Sequence, residues 1–226
     1  GVKVQLPGTT LEKSYSPVSH PEAEGIFDLL VKAYPPRDGG GLGSYLCGLQ
    51  DGEAAPMKVK GAGFSLLGGA QVEPNRWKRL GLLANGTGIA PLLQVALQLL
   101  HAPEDETQIS LVYTNRREED ILMREELEQM SRDHDQRLAV FHTLTWPGAD
   151  WTGQRGRPNE ELLRRSLPPP GPDTMLLICG TDAFVNDMAG PIQRVRTPQG
   201  KKKKVQGPLC GLLQRLGYTA PMVHKF

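Results

Sequence analysis

Residues 84–91 read Ala-Asn-Gly-Thr-Gly-Ile-Ala-Pro, between a short apolar run at 80–84 and a longer apolar stretch at 91–101. Two glycines one residue apart let a backbone approach a ligand with no Cβ in the way. Such a turn, opening a helix at the carboxyl end of a parallel strand, aims main-chain N–H groups at an anion and stabilises a pyrophosphate there. Gly86 and Gly88 also have a simpler reading, in which they serve only the turn. Cys179, followed by Gly180, ends a second apolar run; by itself it reads first as a small buried apolar residue. Cys47, Cys179 and Cys210 are odd in number and lack metal-like spacing. That argues against a disulfide framework or a metal site, and for an intracellular, reducing compartment.

The elements that must position these residues fall into two blocks. Residues 1–74 are strand-like and rich in glycine and proline. An alternating run at 2–6 turns at Pro7-Gly8, a second extended run covers 27–34, glycines cluster at 39–43, and 57–60 is a short strand. Short strands with turns between them suggest a small antiparallel barrel. Three strands do not close one, so further strands are expected upstream. In residues 75–226, expected strands at 80–84, 109–114, 138–144, 175–179 and 222–226 alternate with helices. The helices are expected at 91–101, 120–131, 159–166, 183–189 and 209–216, with Pro91 in the first helical position. This alternation implies a five-stranded parallel sheet with helices on both faces. The expected fold is therefore α+β in two domains: a partial antiparallel barrel over 1–74 and an α/β nucleotide-binding domain over 75–226.

Bulk properties narrow the field. The chain has 226 residues and a formal charge of +1, with 23% of its residues charged, so there is no overall bias toward nucleic acid. The lysines at 201–204 read as a solvated loop or as a docking patch for an acidic partner. No apolar run approaches the roughly 20 residues of a membrane helix, and no secretory signal is present; any membrane attachment is expected upstream of residue 1.

With its neighbours added, the glycine turn becomes specific. Residues 82–91 resemble the GGTGxTP nicotinamide loop of the ferredoxin-reductase superfamily. Residues 112–127, Val-Tyr-Thr-Asn-Arg-Arg-Glu-Glu-Asp-Ile-Leu-Met-Arg-Glu-Glu-Leu, resemble the segment "YANRTEDDILLREEL" of nitrate reductases and cytochrome b5 reductases. Tyr15-Ser16-Pro17 falls where that family has its flavin motif RxYTP or RxYSP. Residues 27–34 are similar to "VDLVIKVY", 39–46 to "GGKMSQYL", and 177–180 introduce the place of "CGPPPM". The matches keep their order along nearly the whole chain.

The resemblance implies a flavin reductase that takes hydride from NADH, with NADPH possible, onto FAD. Electrons then pass to a haem protein such as cytochrome b5. It implies Tyr15 along the flavin ring, Ser16 near the reactive flavin nitrogen, and Lys13 at the flavin pyrophosphate in place of the family arginine. Lys32 and Tyr34 would line the flavin site, and Gly39, Gly40, Leu42 and Gly43 would wrap the pyrophosphate. Gly86, Thr87 and Gly88, with Asn115, Gly180 and Thr181, would hold the nicotinamide nucleotide. Ser16, Thr87 and Cys179 would lie nearest the reacting atoms. Phe226 would cover the flavin or only close the last strand. The resemblance implies an intracellular setting, with the cytoplasmic face of a membrane or mitochondria both open.

Several positions depart from the family. Asn85 replaces the first loop glycine, Ala90 the threonine of GGTGxTP, and Gly43 a serine; Thr181-Asp182-Ala183-Phe184 stands in place of "PPPM". Their accumulation supports a second expectation: a non-catalytic, reductase-like subunit of a larger complex that has lost its flavin. For coenzyme choice, the place of the acidic residue that disfavours a 2′-phosphate is Thr145. Arg116 and Arg117 could supply positive charge for NADPH, or face solvent and pair with Glu118 and Glu119.

Overall fold

A computed structural model describes residues 1–20, 23–33, 41–59, 73–196, 198, 200 and 202–226. In the N-terminal part, β1 (Val2–Gln5) lies between β2 (Glu12–Tyr15) and β3 (Met57–Val59), antiparallel to both, with α1 (Leu42–Cys47) packed against them. The side chains alternate across this sheet. Val2 and Val4 turn inward with Tyr15 onto Leu42, while Glu12 binds both Lys3 at 3.0 Å and Lys58 at 3.1 Å. Lys3 and Lys58 stand opposite one another, and Glu12 relieves that like-charge pairing.

The C-terminal part is a doubly wound sheet. Its strands in chain order are β4 (Arg79–Asn85), β5 (Gln108–Asn115), β6 (Leu138–Leu144), β7 (Gln154–Arg155), β8 (Thr174–Cys179) and, past an excursion, β11 (Val223–Lys225). Spatially they run β11-β8-β4-β5-β6-β7, all parallel. Helices α2 (Ile89–His101) and α3 (Arg124–Asp133) cover one face; α4 (Glu160–Ser166), α5 (Asp182–Ala189) and α6 (Gly211–Arg215) cover the other. Period-two alternation makes this possible. Leu82, Tyr113 and Leu177 face α2, while Leu83, Val112, Leu176 and Ile178 face α4 and α5. Burying one such leucine contributes about 1.5–3 kcal/mol. Helix α2 buries eight of its thirteen residues, leaving Gln94 and Gln98 on its outer stripe.

The excursion is a hairpin of β9 (Ile192–Arg196) and β10 (Lys202–Gln206). Its two feet are fastened by one residue. Lys225 is 4% exposed, and its Nζ faces the carbonyls of Ala189 at 3.2 Å, Pro191 at 3.1 Å, Gly207 at 2.9 Å and Pro208 at 3.0 Å.

Five expectations change. The parallel sheet has six strands rather than five, because the polar two-residue β7 leaves no apolar signal. In place of a barrel, the described residues form an open three-stranded sheet. The run at 27–34 is not a strand where it is described: Phe27 is exposed, and only Leu29 forms a bridge, to Pro17. The lysine run, read as a loop, contributes Lys202–Lys204 to β10, since cross-strand pairing rather than propensity sets that segment. Pro91 sits two residues inside α2, still within the first turn, where its missing N–H has no helical partner to lose.

Candidate active-site cleft

Strand order reverses between β8 and β4, so a crevice opens where their carboxyl ends diverge. The turn Gly86–Gly88 leaves β4 there, with Gly86 at φ +54° and Thr87 exposed. It feeds α2, whose N-terminus carries no side-chain cap. Gly88 has a packing reason as well: a Cβ on it would lie 2.3 Å from the carbonyl oxygen of Cys179. The same holds at Gly180, where a Cβ would meet the Cβ of Asn85 at 2.7 Å. Glycine at these two places brings the ends of β4 and β8 together.

Asn85 binds this junction across three strands. Its Nδ2 donates to the Thr114 carbonyl at 3.2 Å, and its Oδ1 accepts from the Thr181 hydroxyl at 3.3 Å. Thr181 in turn caps α5 by accepting from Phe184 N at 3.3 Å. The departures at Asn85 and Thr181 are thus a matched pair, a relation that the sequence separation of 96 residues hides. Tyr113, on the same side of β5, donates to the Gly86 carbonyl at 3.0 Å and steadies the turn from beneath. Burial pushes the Tyr113 hydroxyl up to about 12, so it remains a donor. Asn115 is 3% exposed, and its side chain lies beside the Tyr113 hydroxyl.

Cys179 stands at the end of β8, its thiol pushed up to about 11 chiefly by burial, against a smaller pull from the Lys204 ammonium. It is a neutral thiol in this cleft and not a nucleophile. Phe226 continues past β11, donating its N–H to the Ile178 carbonyl at 3.0 Å, and its ring meets His224 edge-on at 5.2 Å. Gly86, Thr87, Gly88, Asn115, Cys179, Gly180, Thr181 and Phe226 therefore converge on one crevice.

The flavin-side residues are less concentrated. Tyr15 and Leu42 share the small N-terminal core, and Tyr15 is held above its ordinary range by burial. Ser16 and Lys13 lie on the same short segment, Lys13 exposed and opposite Val4. Gly43 presses on the backbone, where a Cβ would stand 3.0 Å from the Lys32 carbonyl oxygen. Lys32 is ion-paired with Asp120, which spans the two parts of the molecule. Lys32 holds the Asp120 carboxyl below the usual carboxylate range. Val18 and Leu30 pack on the core beneath α2, so these two residues and Lys32 mark the seam. Tyr34, Gly39 and Gly40 lie outside the described residues. An open depression of about 580 Å³ lined by Ser44, Tyr45, Gly48, Leu49, Glu53 and Ala54 holds none of the residues expected at the cofactors.

Arg116 lies over the Trp146 ring at 5.5 Å, and Arg117 pairs with Glu119 at 3.5 Å. Among the described residues no cluster of His, Cys, Asp and Glu could hold a metal ion, and no helix is long and apolar enough to cross a membrane.

A glycine-turn crevice on a doubly wound sheet, joined along a seam to a small antiparallel sheet, defines a two-part dinucleotide-binding protein. The family model for the oxidoreductase FAD-binding domain matches residues 1–64, and that for the oxidoreductase NAD-binding domain matches residues 82–190. The NADH-cytochrome b5 reductase-like protein of Arabidopsis thaliana is 36% identical over 95% of this chain and 60% of its own length. NADH-cytochrome b5 reductase 2 of Meyerozyma guilliermondii is 30% identical over 99% of this chain and 70% of its own. The cytochrome b5 reductase domain of Ulva prolifera nitrate reductase superposes with a TM-score of 0.81 at 24% identity, covering 100% of this chain and 82% of that one. The chain belongs to the NADH-cytochrome b5 reductase family, within the ferredoxin-NADP reductase superfamily, and carries its FAD- and NAD-binding domains. It spans 60% and 58% of the length of the first two curated relatives it matches.

Proposed function

We propose that this chain is a reductase module that accepts hydride from NADH onto FAD and releases electrons singly to a haem protein such as cytochrome b5. The observation that carries the reading is the convergence at one crevice of an uncapped helix N-terminus and an open glycine turn, where Gly88 and Gly180 let the ends of β4 and β8 close together. These features fit the nucleotide, and the Tyr15-Ser16 segment with α1 fits the flavin. When bound, the flavin supplies the change from two-electron to one-electron chemistry.

The chain's own contribution is positional. Main-chain N–H groups at 86–89 bind pyrophosphate, Asn115 donates to the nucleotide, and Gly88 and Gly180 keep the crevice narrow. Neutral Cys179 and Phe226 exclude water from the face where hydride passes, and Tyr15 with Ser16 orients the ring that receives it. With Arg116 over Trp146 and Arg117 paired to Glu119, neither guanidinium is reserved for a 2′-phosphate, which favours NADH. The domain boundary falls at 74/75, and three free cysteines suit an intracellular, reducing compartment, at a membrane's cytoplasmic face or in mitochondria.

The test is spectroscopic. Full chain loaded with FAD and freed of excess should be yellow, and NADH should bleach it faster than NADPH. A protein that retains no flavin would instead favour a non-catalytic subunit and overturn the reductase reading.

A further inference from the structure

The charge of this molecule is unevenly divided. Of its 26 lysines and arginines and 25 acids, residues 188–226 hold eight of the cations and none of the acids. The remaining 187 residues carry 18 cations against 25 acids, a net charge of −7. The positive pole is concentrated on the β9–β10 hairpin, which lies outside the residues matched by either family model.

Three features set this hairpin apart from a solvated loop. Arg194, Arg196, Lys203 and Lys204 are exposed, and none of them makes an ion pair among the described residues. Arg194 stands directly opposite Lys204, a like-charge cross-strand pair that destabilises the free ribbon. Against that cost, both feet of the hairpin are fixed by the buried Lys225 ammonium, with which no carboxylate pairs among the described residues. Gln206 adds two bonds to the Lys225 backbone, at 2.8 and 2.9 Å. Concentrated charge on a firmly held arm is the arrangement of a preorganised contact surface.

Its place in the fold indicates what it contacts. Lys225 pairs in register with Ile178, so the hairpin rises beside the strand that ends at Cys179, at the rim of the crevice. The Lys204 charge is close enough to bear on the Cys179 thiol. Alternation puts Arg194, Arg196 and Lys204 on one face of the ribbon and Lys203 on the other, beside Val195, which is 41% exposed. The rim beside the strand that ends at Cys179 is where an electron acceptor must approach, so the occupant that fits this arm is a redox protein of acidic surface.

We propose that the β9–β10 hairpin is a docking arm for an acidic redox protein, which it holds at the rim of the crevice. This rests on the reductase reading of the crevice. The arm raises the rate of encounter by electrostatic steering, so its contribution falls with ionic strength.

The test uses the FAD-loaded full chain and the triple variant R194E/R196E/K203E, which leaves Lys225 and the crevice residues intact. NADH-dependent reduction is followed with cytochrome b5 as the acidic haem acceptor, basic cytochrome c as its opposite, and menadione as a neutral acceptor. At low salt the variant should reduce cytochrome b5 about tenfold more slowly, with a flatter salt dependence, and cytochrome c faster, with menadione unchanged. Binding of cytochrome b5, titrated without turnover, should weaken in parallel. Cytochrome b5 binding and reduction equal in the two proteins would overturn the arm. So would a variant whose only loss is binding to phosphatidylserine vesicles, since the hairpin would then serve a membrane. Failure of the parent to reduce menadione would overturn the reductase reading instead, and the binding titration alone would then judge the arm.

Discussion

The two parts of this molecule are stabilised differently. The C-terminal sheet is covered on both faces by two continuous apolar clusters that include Leu82, Leu83, Tyr113 and Ile178. The described N-terminal sheet buries Val2, Val4 and Leu42, and is otherwise laced by the exposed Lys3–Glu12–Lys58 bridges. Exposed bridges are weak and screened by salt. A parallel sheet shaped by its own core can present a preformed crevice, whereas a thin antiparallel sheet depends more on what binds to it.

The contrast can be broken first at Gly88. Gly88→Val forces a side chain against the Cys179 carbonyl and should slow NADH-dependent flavin bleaching by about a hundredfold, while the oxidised flavin spectrum persists. Loss of the flavin band as well would mean that the two parts do not hold their ligands separately. Next come the cores. Leu82→Ala should cost about 3 kcal/mol in urea unfolding, and Val4→Ala about 1.5 kcal/mol; equal costs would erase the distinction.

A third effect is confined to the C-terminal part. Burial holds His142 and His224 below their ordinary range. The unfolded chain therefore binds protons that the folded chain refuses. Stability from these groups is full above about pH 6.5 and is lost as pH falls through their folded values. Melting temperature should drop from pH 7.5 to pH 5.5, and less steeply in His142→Phe. The smallest change tests the seam: Asp120→Asn removes the tie to Lys32 and should cost about 1 kcal/mol. Asp120 is held below its ordinary value, so this contribution is present above about pH 4 and fades as acid protonates the carboxyl. A variant with the same acid profile as the parent would show the pair to be idle.

How much of this was legible in the sequence follows the same division. Strands β4, β5 and β8 and helix α2 were readable because each buries both faces or one wide stripe, and continuous apolar runs report that directly. The crevice residues were readable through motif order. The Asn85–Thr181 pair was not, because hydrogen bonds between positions 96 residues apart leave no local pattern. Nor was the hairpin: Lys202–Lys204 has poor strand propensity, and it pairs with β9 because the feet are fixed by Lys225. The run at 27–34 alternates as a strand would, yet Leu29 packs toward one core and Leu30 toward the other. Alternation there records a seam between two parts.

The buried thiol at the end of β8 has a consequence for durability. With its ionisation pushed up to about 11 by burial, Cys179 stays a thiol at pH 7. Peroxide and free disulfides attack the thiolate, so this sulfur resists oxidation even where reduced flavin meets oxygen. Repeated turnover in air should leave the crevice unmodified and direct oxidative wear to the exposed Cys47.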